Sequence, residues 1–325
     1  MLRSILLLVS FTLCAGAQLP DLYKNVARLV WVVPDVEKAA AAWTRTGLPV
    51  SEPAELYFSD AKVKGAASPF RVRVVTGRFG NVSADWMQPV AGDSPLSAFL
   101  KAKGGGVFAL VYAVSSDAAL AAETARLKSA GAAVLMEGAV QAGGQAIPYV
   151  FFDTAAAGKF VLGLAVLPPD FEGDAPRGSR VTQFAFVARE IEPVSAFWAR
   201  LGWPAMTYTR PATSELVYRG KPGKFDMRLG WWRHGSVPFE WIEPLAGPSG
   251  YHEHLEKHGE GFHHLAFNVP DMDAGIRQWE SWGFPLLMGG AWGDKGKPGS
   301  GRFAYHDLHA ACAADIELLW NFKAQ

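Results

Sequence analysis

The stretch Gly259 to Asp271, Gly-Glu-Gly-Phe-His-His-Leu-Ala-Phe-Asn-Val-Pro-Asp, sets a histidine on an otherwise apolar segment. An imidazole there can bind a metal or move a proton near neutral pH. Period-2 alternation places His264, Ala266 and Asn268 on one face and Leu265, Phe267 and Val269 on the other. One face can coordinate; the other must pack. A lone strand histidine is by itself a polar core residue. His264 rises above that because its strand-turn-helix pattern occurs four times along the chain, and one copy carries Gln183 at the matching place.

The elements that must position these residues can be read in chain order. Val26 to Pro34 reads as a strand and Asp35 to Thr46 as a helix, with Ala39, Ala40, Ala42 and Trp43 inward, Asp35 as N-cap, and Gly47 and Pro49 as the stop. Strands are predicted near 55–59, 70–76 and 83–87, which makes a β-α-β-β-β unit. The pattern restarts at Val107 with a helix over 117–130, at Val181 with a helix over 190–201, and at Phe262 with a helix over 272–282.

A larger duplication underlies the four modules. One shift of 155 positions matches Val26 with Val181, Trp43 with Trp198, Gly47 with Gly202, Pro49 with Pro204, Phe70 with Phe225, Arg73 with Arg228, Trp86 with Trp241, Pro89 with Pro244 and Gly104 with Gly259. The halves, 22–170 and 178–325, are therefore expected to be homologous domains. Pro168 to Pro176 lies between them as a turn-rich linker.

The first 17 residues read as a secretory signal: Arg3, a hydrophobic Ser4 to Cys14, and a small-residue Ala15-Gly16-Ala17 site cut before Gln18. A lipoprotein anchored at Cys14 is the rival, with Leu13 standing where a small residue is wanted. Export (periplasmic or secreted) leaves Cys312 as the only thiol, so no internal disulfide is expected. With 50% hydrophobic residues, stability must come from core burial. Lys plus Arg equals Asp plus Glu at 31 each, which argues against nucleic acid or an anionic membrane as the main partner. No later apolar run is long enough to span a bilayer.

Paired β-α-β-β-β modules with a strand His-Leu-Ala-Phe-Asn-Val-Pro-Asp and a closing strand Ile-Glu-Leu-Leu resemble the vicinal oxygen chelate superfamily. That group includes glyoxalase I, methylmalonyl-CoA epimerase, extradiol dioxygenases and bleomycin-resistance proteins. The resemblance implies an α+β fold in which each module pair curls into a half-open barrel, with the ligands of one divalent metal on the first and last strands of both modules. Carried onto the second half, it implies Gln183, Glu240, His264 and Glu317 as ligands, in the glyoxalase I order. Beside the resemblance stands a physical reading. Each of the four lies in an apolar strand, where an unpaired amide or carboxylate is costly, and a cation would neutralise Glu240 and Glu317 if they converge. Three oxygens and an imidazole suit Zn, Ni, Mn, Co or Fe. The equivalent first-half positions are Arg28, Asp85, Ala109, and Leu162 or Gly163, so that half is expected to have a degenerate site, with a salt bridge from Arg28 to Asp85.

The function expected is that of a metal-dependent isomerase or lyase that deprotonates a small substrate with neighbouring oxygens, with Glu317 as general base and Glu240 as the opposing ligand or second base. An extradiol-type dioxygenase and a non-catalytic binding or resistance-like protein are the alternatives. Gly289 to Arg302, with Lys295, Lys297 and Arg302, reads as a mobile lid or loop that could hold a carboxylate or phosphate, with a plain solvated loop as the alternative. His252, His254, His258 and His263 read as surface or outer residues, with His263 pointing away from His264. His306 is weakly expected at the cup, and Trp231, Trp232 and Trp292 as pocket walls.

Overall fold

In the first module Arg28–Val32 (β1) leads into Val36–Arg45 (α1), and the Asp35 side chain accepts from the Lys38 amide at 2.9 Å as the N-cap. Ala54–Phe58 (β2), a small hairpin of Lys62–Val63 (β3) and Ala66–Ala67 (β4), Phe70–Phe79 (β5) and Val82–Ala91 (β6) follow. Helix Pro95–Lys103 (α2), which the sequence reading did not anticipate, precedes Gly106–Val114 (β7) and Asp117–Ser129 (α3). Val134–Ala142 (β8), Gln145–Phe152 (β9), the turn Ala155–Gly158 (α4) and Val161–Val166 (β10) complete the half.

The second half repeats this order. Val181–Val187 (β11), Glu192–Arg200 (α5), Thr207–Thr209 (β12), Thr213–Tyr218 (β13), Lys221–Pro222 (β14), Asp226–Trp232 (β15) and Phe239–Ala246 (β16) form its first module. Gly250–Lys257 (α6), Gly261–Asn268 (β17), Met272–Ser281 (α7), Leu286–Trp292 (β18), Gly301–Asp307 (β19), His309–Cys312 (α8) and Asp315–Asn321 (β20) form the next. This computed structural model describes residues 19–142, 144–167 and 180–323. The signal segment and the linker of the sequence reading lie outside the described residues. Among the described residues no helix is long and apolar enough to cross a membrane.

Each half is one curled, ten-stranded, half-barrel sheet, in the orders β2-β5-β6-β1-β7-β10-β9-β8-β3-β4 and β12-β15-β16-β11-β17-β20-β19-β18-β13-β14. The first strands of paired modules run antiparallel to each other, as β1 with β7 and β11 with β17. Each first strand runs parallel to its own module's last strand. The first and last strands of both modules thus lie side by side at the centre of the curl, which is where four ligands would have to come from.

Strand alternation divides the core in two. Leu29, Trp31 and Val33 of the first half and Phe184, Phe186, Leu265 and Phe267 of the second enter one core shared between the halves. Val30 and Val32, and Ala185 and Val187, face their own concave sides. The shared core is sealed by Trp198, whose indole stacks on Phe160 at 4.5 Å and donates to the Gly158 carbonyl at 2.9 Å. A Cβ at Gly158 would lie 2.7 Å from that indole, so only glycine allows the approach. Truncating such a buried indole costs about 3–5 kcal/mol. Cys312 is buried and unpaired.

Candidate metal centre

The register brings the expected residues together. On β17 and β20, His264 pairs with Asp315 and Ala266 with Glu317. On β11, Ala185 lies between His264 and Glu240 of β16, and Gln183 lies opposite Ala266. All four candidates therefore come from the adjacent strands β16, β11, β17 and β20. Small side chains at Ala185 and Ala266, both fully buried, stand between them.

Ligand atoms from Glu240, His264 and Glu317 lie within 4.8 Å of one another. His264 Nε2 is 3.2 Å from Glu317 Oε2 and 3.7 Å from Glu240 Oε2. Such separations are long for hydrogen bonds and match the edges, about 3.3 Å, of a tetrahedron with bonds of about 2.0–2.1 Å. Gln183 lines the same cup, and its Oε1 is buried with no hydrogen-bond partner, as is Glu240 Oε2. Buried polar atoms are normally paired. Two orphaned oxygens beside a buried imidazole and a second carboxylate fit a divalent cation, and the group could bind one.

Electrostatics agree. Burial, and then the charge of Glu317, push the Glu240 carboxyl well above the ordinary range, offset in part by Arg233. A cation would remove that penalty. The cup has a volume of about 490 Å³, and Trp231, Trp292, Tyr251, Tyr305 and Arg233 lie around it. The Tyr251 hydroxyl donates to that of Tyr305 at 3.0 Å, and burial raises both phenols, helped by the two glutamates. Tyr305 stands edge-on to His264 at 4.8 Å.

The first-half cup is equally large, about 500 Å³, but different in chemistry. Arg28 pairs with Asp85, which also accepts from Thr76 Oγ1 at 2.7 Å. Ala109 takes the place of His264. Val111 pairs with Gly163 as Ala266 pairs with Glu317, which settles the choice between Leu162 and Gly163. A Cβ at Gly163 would meet Phe151 at 2.8 Å and Val111 at 2.9 Å, so the place of the carboxylate is filled.

Several expectations need correction. His263 does not point away from His264: its Nδ1 lies 2.8 Å from His264 Nδ1. Ala185 pairs with His264 but Phe186 pairs with Phe262, so His263 is an extra residue in a β-bulge, and the bulge breaks the alternation. His254 and His263 are buried, not on the surface. His306 faces away from the cup: its Nδ1–H donates to the Phe284 carbonyl at 2.9 Å, and its ring stacks on Trp279. In Gly289 to Arg302, residues 293–300 are the loop between β18 and β19, but its cations are engaged, Lys295 with Glu215 and Arg302 with Asp273, both exposed. Trp231 and Trp292 line the cup, whereas Trp232 is buried in the shared core.

Sequence reasoning missed Tyr251, Tyr305 and Arg233. Tyr305 had a usable signal, since it is paired across from Glu317 on the neighbouring strand. Tyr251 lies on a helix whose packing face only the tertiary structure reveals.

The glyoxalase/bleomycin resistance protein/dioxygenase superfamily matches the sequence twice, over residues 28–151 and 182–305. Among solved structures, a triple mutant of 4-hydroxymandelate synthase from Streptomyces coelicolor is similar at a TM-score of 0.61 and 17% identity, over 93% of this chain and 94% of that one. A xylose isomerase-like TIM barrel/4-hydroxyphenylpyruvate dioxygenase fusion protein is similar at a TM-score of 0.53 and 15% identity, over 93% of this chain and 50% of that one. These two likenesses concern the fold. No curated protein matches the sequence.

Proposed function

The chain belongs to the glyoxalase/bleomycin resistance protein/dioxygenase superfamily, and from that premise we propose that its second half is the cup of a metal-dependent isomerase or lyase of glyoxalase or epimerase type. The observation that carries this reading is the buried Glu240, His264 and Glu317 cluster with the orphaned amide oxygen of Gln183 beside it. Gln183, Glu240, His264 and Glu317 would hold one divalent ion, from among Zn, Ni, Mn, Co or Fe. Bound there, the ion supplies Lewis acidity toward two neighbouring substrate oxygens.

The protein's own groups do the rest. Glu317 takes the proton from the carbon beside the substrate carbonyl, and the electron pair moves onto the oxygen as an enediolate. Glu317, now carrying that proton, returns it to the neighbouring carbon, and Glu240, across the cluster, is the opposing ligand or second base. Tyr305, kept protonated by burial and accepting from Tyr251, can donate toward the developing negative charge. Trp231 and Trp292 limit access of water, and Arg233, over the Trp231 ring at 4.2 Å, offers a cation to an anionic small molecule. In this reading the 178–325 domain carries the chemistry. The 22–170 domain serves as a structural partner, and the protein works outside the cytosol after removal of residues 1–17. Lactoylglutathione, a cytosolic thioester, is accordingly not the substrate proposed.

The test is hydrogen exchange at carbon. Metal-loaded protein with small α-hydroxycarbonyl compounds in D2O should exchange the C–H beside the carbonyl, read by proton NMR. Glu317→Gln should slow exchange by about 10²–10⁴-fold. An unchanged rate in that variant would end the proposal.

The likeness to proteins titled synthase and dioxygenase favours, as the second reading, an extradiol-type dioxygenase. Gln183 stands where a second imidazole would be wanted for iron. Oxygen consumption by the Fe(II)-loaded protein with catechols would select that reading, and ligand binding indifferent to chelation would select a non-catalytic binder.

A further inference from the structure

His264 has two nitrogens, and their partners differ. Nε2 faces Glu317 and Glu240, at 3.2 and 3.7 Å. Nδ1 faces Nδ1 of His263 at 2.8 Å. A hydrogen bond between two imidazole nitrogens needs one proton, so one ring donates and the other accepts. Ligation through Nε2 needs the lone pair on that atom, which places the proton of neutral His264 on Nδ1. His263 must then accept at Nδ1 and carry its own proton on Nε2. That atom makes no hydrogen bond and lies 3.6 Å from Asp315 Oδ2, an oxygen that is also 3.5 Å from His309 Nε2. His263 is fully buried and Asp315 is 1% exposed.

The other half of the chain provides an internal comparison. It has the same bulge: Val30 pairs with Ala109 and Trp31 with Val107, so Phe108 is the extra residue as His263 is in the second half. Ala109 pairs with Val161 as His264 pairs with Asp315. Where one half has His264, His263 and Asp315, the other has Ala109, Phe108 and Val161. Ligand and supports are polar together or apolar together on the same backbone. A bulge needed only for sheet curvature would not require buried histidine and aspartate in one half alone.

We propose that His263 is a positioning residue for the metal ligand His264, with Asp315 as the buried carboxylate behind it: the hydrogen bond between the two rings fixes the tautomer of His264 and aims its Nε2 at the space between Glu240 and Glu317. This rests on the metal site of the proposed function, but not on the reaction assigned to it. Ligating imidazoles commonly give their second N–H to a partner, and loss of that partner lowers metal affinity about 10–100-fold. Here the partner is another histidine, which passes the polarity on to a buried carboxylate. The same proton assignment leaves His263 without a free lone pair, so the cluster of buried His254, His263 and Asp315 with half-buried His309 is a support and not a second metal centre.

The experiment uses the full chain and Zn2+ or Co2+. Equilibrium dialysis should show one ion bound by the wild type. His263→Leu should bind it about 10–100-fold more weakly, with altered Co2+ visible bands. His263→Asn, whose side-chain oxygen can still accept from His264, should recover most of the affinity although both variants remove the same buried ring. Equal affinity in the wild type and His263→Leu, or equal weakness in both variants, overturns the proposal. If both variants fail to fold, two-bond 1H–15N correlation spectra of the Zn-loaded wild type decide: the proposal requires the proton on Nδ1 of His264 and Nε2 of His263, and the reverse assignment overturns it. A wild type that binds no ion defeats the metal site itself, and a wild type that binds two ions defeats the relay.

Discussion

Glu240 and Glu317 present carboxylate oxygens within 4.8 Å of each other on strands flanking the same pair of central strands, with His264 between them. Two buried acids this close repel when both are ionised. Such an arrangement weakens the metal-free protein and favours the metal-bound one. Glu317→Gln should therefore stabilise the protein in chelator by about 1 kcal/mol, read as a higher melting temperature, while abolishing the rise that Zn2+ gives the wild type. Thermal melts with and without metal check both signs.

The first-half cup should resist conversion into a second site. Ala109→His with Gly163→Glu would recreate two ligand types, but the Gly163 side chain collides with Phe151 and Val111. The expected result is destabilisation of about 1–3 kcal/mol from overpacking and unchanged metal content. Adding Phe151→Ala should relieve the clash, and a denaturant series would show the recovery.

Arg233 lines the second cup, whereas Lys295 is engaged with Glu215. For an anionic substrate, Arg233→Ala should raise KM by roughly tenfold, as expected for about 1.4 kcal/mol of lost binding, with a smaller effect on kcat. Lys295→Ala should leave both unchanged. Steady-state kinetics on the two variants separate these outcomes.

The helix that carries Tyr251 and His254 is held by an acid-sensitive clamp. Glu253 accepts from Tyr218 at 2.8 Å, Arg219 at 2.6 Å and Lys257 at 2.5 Å. Burial alone would raise its carboxyl, but these bonds overcome that and lower it to about 2. A depressed folded value means that the stabilisation is complete above the ordinary carboxylate range and is lost as pH falls toward about 2. Glu253→Gln should be less stable than the wild type at neutral pH, with the gap closing as the solution is acidified. Melting temperatures across an acid series measure it.

Much of this was legible in the sequence because strand alternation is a strict rule. Alternation put His264 and Ala266 on one face, and the module repeat found Gln183 as the counterpart on β11; Gln183 lines the cup and His264 clusters with Glu240 and Glu317. The bulge was not legible. His263 looks like any outward residue until pairing shows that it has been skipped, and pairing is a tertiary fact. The glycines of Gly289 to Arg302 are of two kinds, and Gly293, Gly296 and Gly299 lie in the loop between β18 and β19 at positive φ, as the sequence suggests. Gly289, Gly290 and Gly301 are strand residues whose added Cβ atoms would fall 2.9, 2.6 and 2.3 Å from neighbouring atoms. There glycine marks close packing of strands, which composition cannot distinguish from a loop. Asp315, two residues from Glu317, drew no notice because its partners come from distant elements.

The most direct test of the central claim is elemental analysis of the purified full chain after metal loading and removal of excess ion. The account predicts one divalent ion per chain, retained by a variant with Arg28 and Asp85 replaced in the first cup and lost when Glu240 and Glu317 are both changed to Gln. A wild type without bound ion, or an ion that survives the double change, would contradict it.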